Sequence, residues 1–244
     1  MVRELILSFA LIAATSAQEL KTATGHSMQY YLSLPDGWTA GKTWPVVVAV
    51  ESANRDFRGN AEVFARARGK LPFIVVSPMV VTAGGAGFRA VPTYRYTDAV
   101  WSEIDRMGQF HFDETGIAAM IADVHRLYGG EERYFLTGWE AGGHTVWAML
   151  FQHPENLRAV APVSTNFQGR WLTPESFSSS PARVQLPVMV LQAGSVPSPF
   201  LGQQTANAMA IAQEHGYAKV SVTQVDKPHG PLADEVLRWF ASVK

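Results

Sequence analysis

Short runs of apolar, largely β-branched residues alternate with segments of helical periodicity along most of this chain. The runs predict strands at 28–34, 45–50, 73–77, 134–136, 159–163, 188–191 and 220–225. The periodic segments predict helices at 61–67, 113–128, 143–153, 203–215 and 232–243, with Asp113 as a cap and an irregular loop at about 79–112. This alternation predicts a doubly wound, mostly parallel sheet covered on both faces by helices.

The first 17 residues have the pattern of a secretory signal peptide. Arg3 precedes an apolar stretch at 5–14, and small residues follow as far as Ala17. We therefore expect cleavage after Ala17 and a secreted or periplasmic protein, with an uncleaved N-terminal helix as the alternative. The apolar stretch is too short to span a bilayer. Residues 18–244 contain no linker-like segment, which predicts a single domain.

The net charge and the absence of cysteine exclude some classes of partner and one source of stability. A formal net charge of −1 provides no basic surface for nucleic acid or an anionic membrane. The chain has no cysteine, so its stability cannot depend on disulfides. No cofactor-binding motif is evident, and we expect a small molecule, a carbohydrate or a polymer fragment as the ligand.

One motif carries most of the chemical information. A predicted strand runs into Gly138-Trp139-Glu140-Ala141-Gly142, and a predicted helix follows. This is the strand–turn–helix layout of a nucleophile elbow, in which glycines allow a tight turn that displays the central side chain. Here the displayed residue is Glu140, at a helix N-terminus that favours negative charge.

The stretch 136–164 resembles the elbow region of the α/β-hydrolase superfamily, and most closely the secreted esterases of the feruloyl-esterase and polyhydroxyalkanoate-depolymerase type. The resemblance extends in element order over about residues 28–243. It implies an α/β-hydrolase fold without a large cap, and ester cleavage by serine, histidine and an acid.

Carried over residue by residue, this resemblance is partial. His229, in the segment after the last strand, matches the family histidine, whereas the family serine falls on Glu140. The acid is expected after the strand at 188–191, but residues 192–197 contain no carboxylate. The family's oxyanion-loop His-Gly falls on Glu51 and Ser52. Ala141, which follows Glu140, is a further candidate for the oxyanion site or the pocket. The departures predict that ordinary serine-esterase activity is absent.

Three interpretations of Glu140 remain open. In the first, Glu140 and His229 form an ion pair, which supplies the negative charge that the lost acid no longer provides, and the protein is a pseudo-hydrolase that binds a ligand. In the second, Glu140 is a carboxylate nucleophile or general base of an active hydrolase. In the third, Glu51 joins Glu140 and His229 to bind a divalent metal or to act as an acid–base pair.

The other candidates have simpler explanations. His144 lies four residues after Glu140 and would join a metal site only as a minority alternative to a structural role. Asp226 either orients His229 or is solvated. For Glu51, simple solvation at the end of a strand is an equal alternative to a role in the site. Ser195 and Ser198 lie where the acid is expected and cannot replace it. Trp139, inside the elbow, is expected to line the pocket.

Overall fold

The computed structural model describes residues 18–82, 89, 93–194 and 199–243 of the chain. The predicted signal peptide, Gly84 and Gly85 of the predicted loop, and Ser195 and Ser198 lie outside the described residues. Eight strands within the described part form one sheet in the order β1-β2-β4-β3-β5-β6-β7-β8. β1 and β2 are antiparallel to their neighbours, and β3 to β8 are parallel.

The strands are β1 (Glu19–Thr22), β2 (Gln29–Ser33), β3 (Val46–Val50), β4 (Ile74–Pro78), β5 (Tyr134–Trp139), β6 (Leu157–Val163), β7 (Val188–Ala193) and β8 (Val220–Val225). The α-helices are α1 (Phe57–Arg68), α2 (Asp98–Met107), α3 (Gln109–Tyr128), α4 (Gly143–Gln152), α5 (Ala182–Gln185), α6 (Pro199–Glu214) and α7 (Ala233–Ser242). None of the described helices is both long enough and apolar enough to cross a bilayer.

The predicted doubly wound, mostly parallel sheet is confirmed. Its central strands are buried on both faces, which explains their unbroken apolar sequence. One apolar cluster includes Trp147 of α4 and Phe112 of α3, and a second includes Phe64 of α1 and Phe240 of α7. No large cap domain is seen among the described residues.

The prediction of an irregular loop at about 79–112 is wrong for its second half. Residues Asp98–Met107 form α2. The Thr97 side chain caps its N-terminus by accepting a hydrogen bond from the Val100 N–H. Trp101 and Ile104, three residues apart, are buried on one face of this helix. The loop prediction rested on the glycine and aromatic residues of the whole segment, and this composition obscured the helical spacing of the apolar pair.

Asp113 is not the helix cap that the sequence suggested. α3 begins four residues earlier, and the Asp113 carboxylate is fully buried inside it. It accepts hydrogen bonds from the Val81 N–H at 2.9 Å, the Thr82 N–H at 2.9 Å and the Thr82 hydroxyl at 2.5 Å. The Thr82 and Thr145 hydroxyl oxygens lie 2.5 Å apart. The carboxylate therefore connects α3 to the segment after β4, and through Thr82 to α4.

Burial raises the pKa of Asp113 to about 7, although the hydrogen bonds from Thr82 and Val81 oppose that rise. The pKa in the unfolded chain is about 3.9. Between these two values the folded state binds more protons than the unfolded state. The contribution of this group to stability is therefore fully present below pH ~4 and is lost as the pH rises through about 7.

We expect the Asp113→Asn variant to lack this pH dependence, because its side chain does not titrate. The unfolding free energy of wild type minus that of the variant should be a few kcal/mol larger at low pH than at high pH, since one pKa unit corresponds to about 1.4 kcal/mol. Urea denaturation at a pH below the unfolded-state pKa of about 4 and at a pH above about 7 measures this difference. Asp98→Asn is the control, because Asp98 is exposed. A difference that does not change with pH would contradict the prediction.

A candidate active site at the strand-to-helix elbow

The elbow is a tight turn between β5 and α4. Glu140 follows Trp139, the last residue of β5, and has φ 46°, the left-handed backbone conformation that non-glycine residues rarely adopt. Residues Glu140–Gly142 form a short 3-10 turn, and α4 begins at Gly143. The Asn166 N–H donates to the Glu140 carbonyl at 2.9 Å. The turn is thus held by the segment after β6, and it displays the Glu140 side chain.

Two glycines allow the close approach that the turn requires. A Cβ on Gly142 would lie 2.6 Å from the Glu51 carbonyl oxygen and 3.0 Å from that of Val50. A Cβ on Gly143 would lie 2.2 Å from the Cβ of Thr165. The first turn of the elbow helix therefore packs directly against the chain that follows β3 and β6.

The structure brings the Glu140 and His229 side chains together. Glu140 Oε1 lies 2.6 Å from His229 Nε2, a short hydrogen-bonding distance between residues 89 positions apart. His229 lies in the loop between β8 and α7, and its side chain is 45% exposed, whereas that of Glu140 is 32% exposed. The pair is therefore formed at the open surface of the site rather than in the core.

No carboxylate supports the other side of this histidine among the described residues. His229 has only Glu140 as an ion-pair partner there. Gln192, near the end of β7 where the acid was expected, is buried and donates to the Thr205 hydroxyl. Asp226 is exposed and makes no side-chain hydrogen bond to His229. The orienting role considered for Asp226 therefore has no support in the geometry.

Glu51 is a buried carboxyl group beside the elbow, contrary to the simple picture of a solvated residue at a strand end. It is 3% exposed, and burial raises its pKa. The Ser52 hydroxyl donates to its Oε1 at 3.1 Å, and Trp139 Nε1–H donates to its Oε2 at 3.3 Å. The backbone N–H of Ser52 is a further hydrogen-bond partner that lowers the pKa.

Trp139 connects the two halves of the site. Its indole N–H bonds Glu51, and its ring centroid lies 5.6 Å from that of His229. The sequence placed this residue in the pocket but did not reveal its bond to Glu51. Two sequence features could have indicated this bond. Trp139 lies beside the displayed residue, and Glu51 follows β3, the strand that neighbours β5. Ala141, the other pocket candidate, is half-buried and packs against the larger apolar cluster.

The proposed metal site is not assembled. Within the described part of the chain, no three His, Cys, Asp or Glu side chains are arranged to bind a metal ion. Glu51 is directed to Trp139 and Ser52, and the Glu140 carboxylate to His229. His144 is 6% exposed, and its Nδ1 has no hydrogen-bond partner. Burial, and secondarily the charge of Arg170, lowers the His144 pKa to about 4.

The loop that carries His229 also borders a cavity of about 450 Å³. The cavity lies between α1 and α7, with Lys227 and Pro228 before His229 and Gly230 after it among the lining residues. His229 itself is not among the lining residues, and its side chain contacts Glu140 of the elbow.

Comparisons with known proteins give similarity in structure alone. No protein-family profile matches the chain, and no curated protein sequence matches it. Similar solved structures include a dienelactone hydrolase from Klebsiella pneumoniae, with 17% identity and a TM-score of 0.61 over 93% of this chain and 97% of that one. An S-formylglutathione hydrolase from Agrobacterium tumefaciens has 14% identity and a TM-score of 0.62, over 93% and 94% of the two chains.

A third similar structure is a fluorophosphonate-binding serine hydrolase from Staphylococcus aureus, with 11% identity and a TM-score of 0.59 over 93% of this chain and 97% of that one. Together with the strand order, these similarities show that the chain has the α/β-hydrolase fold. At such low identity the comparisons do not transfer an activity.

We expect Gly142→Ala to destabilise the protein by about 1–3 kcal/mol, because the added methyl group would overlap the backbone after β3. Chemical denaturation measures the change. Gly230→Ala is the matched control, since a Cβ there meets no atom within 4 Å. Equal stability of the two variants would show that the elbow tolerates a side chain at Gly142.

Proposed function

We propose that this protein is a pseudo-hydrolase, a ligand-binding protein on an α/β-hydrolase fold that lacks serine-esterase activity. The observation that carries the proposal is the 2.6 Å contact between Glu140 Oε1 and His229 Nε2. In a serine triad this imidazole nitrogen accepts the proton of the nucleophile. Here the nucleophile position holds the Glu140 carboxylate, and this carboxylate is the hydrogen-bond partner of His229 Nε2.

The surroundings of the oxyanion position support the same proposal. An oxyanion hole requires donors directed at developing negative charge. The N–H and hydroxyl groups of Ser52 instead interact with the Glu51 carboxyl group. A tetrahedral ester intermediate would therefore develop its charge beside a second acidic group and compete with it for the same donor.

The expected ligand is a carbohydrate, another small molecule or a polymer fragment. An aromatic side chain with neighbouring carboxylates suits a ligand that has apolar faces and hydroxyl groups, and Trp139 lies between Glu51 and His229. The finer resemblance to feruloyl esterases and polyhydroxyalkanoate depolymerases is consistent with this ligand class and forms part of the proposal.

One observation favours an active hydrolase as the second candidate. If the Nε2 proton of His229 is held by Glu140, the Nδ1 lone pair is available to accept a proton from water. No hydrogen bond to Nδ1 is found among the described residues. In this alternative Glu140 orients the histidine, and His229 acts as the general base.

A turnover assay separates the two candidates. We expect wild type, Glu140→Gln and Glu140→Ser to release no p-nitrophenol from short aryl esters above the buffer rate. The serine variant should stay inactive because the acid and the oxyanion donors are still missing. Glu132→Gln, whose side chain is 80% exposed in wild type, is the matched control. Wild-type turnover that Glu140→Gln abolishes and Glu132→Gln retains would overturn the pseudo-hydrolase proposal.

Binding is measured separately, by following the Trp139 indole N–H signal in NMR spectra. The signal is assigned by its loss in Trp139→Phe. We expect it to shift with at least one member of a panel of oligosaccharides and hydroxyalkanoate oligomers. Absence of any shift across the panel would contradict binding of this ligand class.

We also propose that the protein is exported, with cleavage after Ala17. The three-part sequence of the first 17 residues supports this proposal. N-terminal sequencing of the protein recovered from an expressing cell should begin at Gln18. A mature chain that retains Arg3 would contradict it.

A further inference from the structure

A further cavity, of about 500 Å³, lies in the groove between α3 and the end of α4. The apolar residues that line it include Ala118, Ile121 and Ala122 of α3 and Met149 of α4. The two alanines lie four residues apart on the same face of α3, and their small side chains leave the groove open. A volume of this size is within the range of small-molecule sites. No residue of the elbow or of the His229 loop is among the described lining residues, so this α3–α4 groove is separate from the candidate active site.

A buried hydroxyl group in this groove lacks a partner. Tyr134, the first residue of β5, lines the cavity and is 3% exposed. Its hydroxyl group makes no hydrogen bond with any residue in the described part of the chain, yet its oxygen is not fully enclosed. Buried hydroxyl groups normally have a partner, and a missing partner costs free energy. The Tyr134 hydroxyl is therefore available to a ligand in the groove.

A carboxylate held between two histidines lies on the same face of α3. Glu114 lines the groove, four residues before Ala118. Its Oε1 lies 2.6 Å from His111 Nδ1, and its Oε2 lies 2.7 Å from His153 Nε2. Burial opposes the ionisation of Glu114, but the hydrogen bonds to His153 and His111 outweigh burial and lower its pKa. Each oxygen of a carboxylate can accept more than one hydrogen bond, so Glu114 can also bind a donor on a ligand.

The charge of the groove indicates which class of ligand it takes. The described lining residues include two glutamates and neither a lysine nor an arginine. His153, which also lines the groove, carries positive charge only when it is protonated. Burial and the charge of Glu155 raise the pKa of Tyr134, so its hydroxyl group stays uncharged. An anion would therefore be repelled, whereas a cation would meet negative charge and hydrogen-bond acceptors beside an apolar wall.

We propose that the α3–α4 groove is a binding site for an organic amine, in which a protonated amino group is attached to an apolar chain. The chain packs against Ile121 and Met149, and the ammonium group donates to the Glu114 carboxylate and to the Tyr134 hydroxyl oxygen. This site lies outside the elbow, so it does not depend on the role of Glu140.

An NMR titration with n-hexylamine tests the proposal at pH 8, where an alkylamine is protonated. We expect the backbone amide signals of residues 118–122 to shift and the signal of Gly142 in the elbow to stay in place. n-Hexanol and hexanoate have chains of the same length without the positive charge. Hexanol should bind at least about tenfold more weakly, because it lacks a charge-assisted hydrogen bond, and hexanoate should not bind measurably. Absence of shifts at 118–122, or equal affinity for hexylamine and hexanol, would overturn the proposal.

A charge-neutralising variant tests the contact with the carboxylate. Glu114→Gln should weaken hexylamine binding at least about tenfold and leave hexanol binding unchanged, because it removes the charge and almost no volume. Glu62→Gln is the matched control, because Glu62 lies on α1 with a side chain that is 40% exposed, and it should bind like wild type. Hexylamine binding that Glu114→Gln does not weaken would exclude recognition by charge.

Tyr134→Phe removes only the hydroxyl group. It should weaken hexylamine binding about fivefold without lowering the urea midpoint of the unliganded protein, because this hydroxyl has no partner among the described residues. An unchanged affinity, or a lower midpoint, would show that the hydroxyl group does not serve the ligand.

Filling the groove tests the location of the site. Ala122→Leu should lower the affinity for hexylamine at least about tenfold, because the larger side chain occupies the volume of the alkyl chain. Ala210→Leu is the matched control, because Ala210 is also an exposed helical alanine but lies on α6, outside this cavity. Equal affinities of the two variants would place the amine elsewhere and overturn the proposal.

Discussion

The close approach of the elbow helix to the carboxyl ends of β3 and β6 is the constraint on which the candidate site depends. Gly142 lies against the carbonyl oxygens after β3, and Gly143 lies against Thr165 after β6, at separations that no side chain could occupy. This packing forces the turn between β5 and α4 to be tight, and the tight turn places Glu140 in a left-handed conformation. Any residue at that position would be displayed in the same way. The fold therefore preserves the geometry of a nucleophile elbow independently of whether the displayed residue is a nucleophile.

The departures from an esterase site fit together physically. The carboxylate at the elbow lies within hydrogen-bonding distance of His229 Nε2, and so the histidine has an acidic partner although the acid beyond β7 is missing. On the other side, Glu51 is buried without a cationic partner among the described residues, and its oxygens are satisfied by Ser52 and Trp139. Trp139 contacts both groups. A change at one of these positions alters what the others can do, which is why restoring a serine alone is not expected to restore ester cleavage.

The same separation between scaffold and surface holds elsewhere in the molecule. Asp113 holds the segment after β4 against α3 through buried hydrogen bonds, whereas the Glu140–His229 pair is exposed to solvent. At the sheet edge, β8 contains no charged residue and pairs with β7 on one side. These features lie in a fold whose central strands β3 and β4 are buried on both faces.

The sequence by itself determined the doubly wound sheet, the position of the elbow and the identity of its displayed residue, because buried parallel strands and glycine turns leave local patterns. The resemblance to the α/β-hydrolase superfamily also implied that Glu140 and His229 belong to one site, because these residues fall on the family serine and histidine. Only the tertiary structure decided that Glu51 is buried against Trp139 rather than solvated, and that Asp113 lies inside a helix. It also showed that Gln192 bonds Thr205 and that the three proposed ligands do not converge on a metal. Those outcomes depend on which side chains meet across the sheet, and contacts between residues distant in sequence leave no local periodicity.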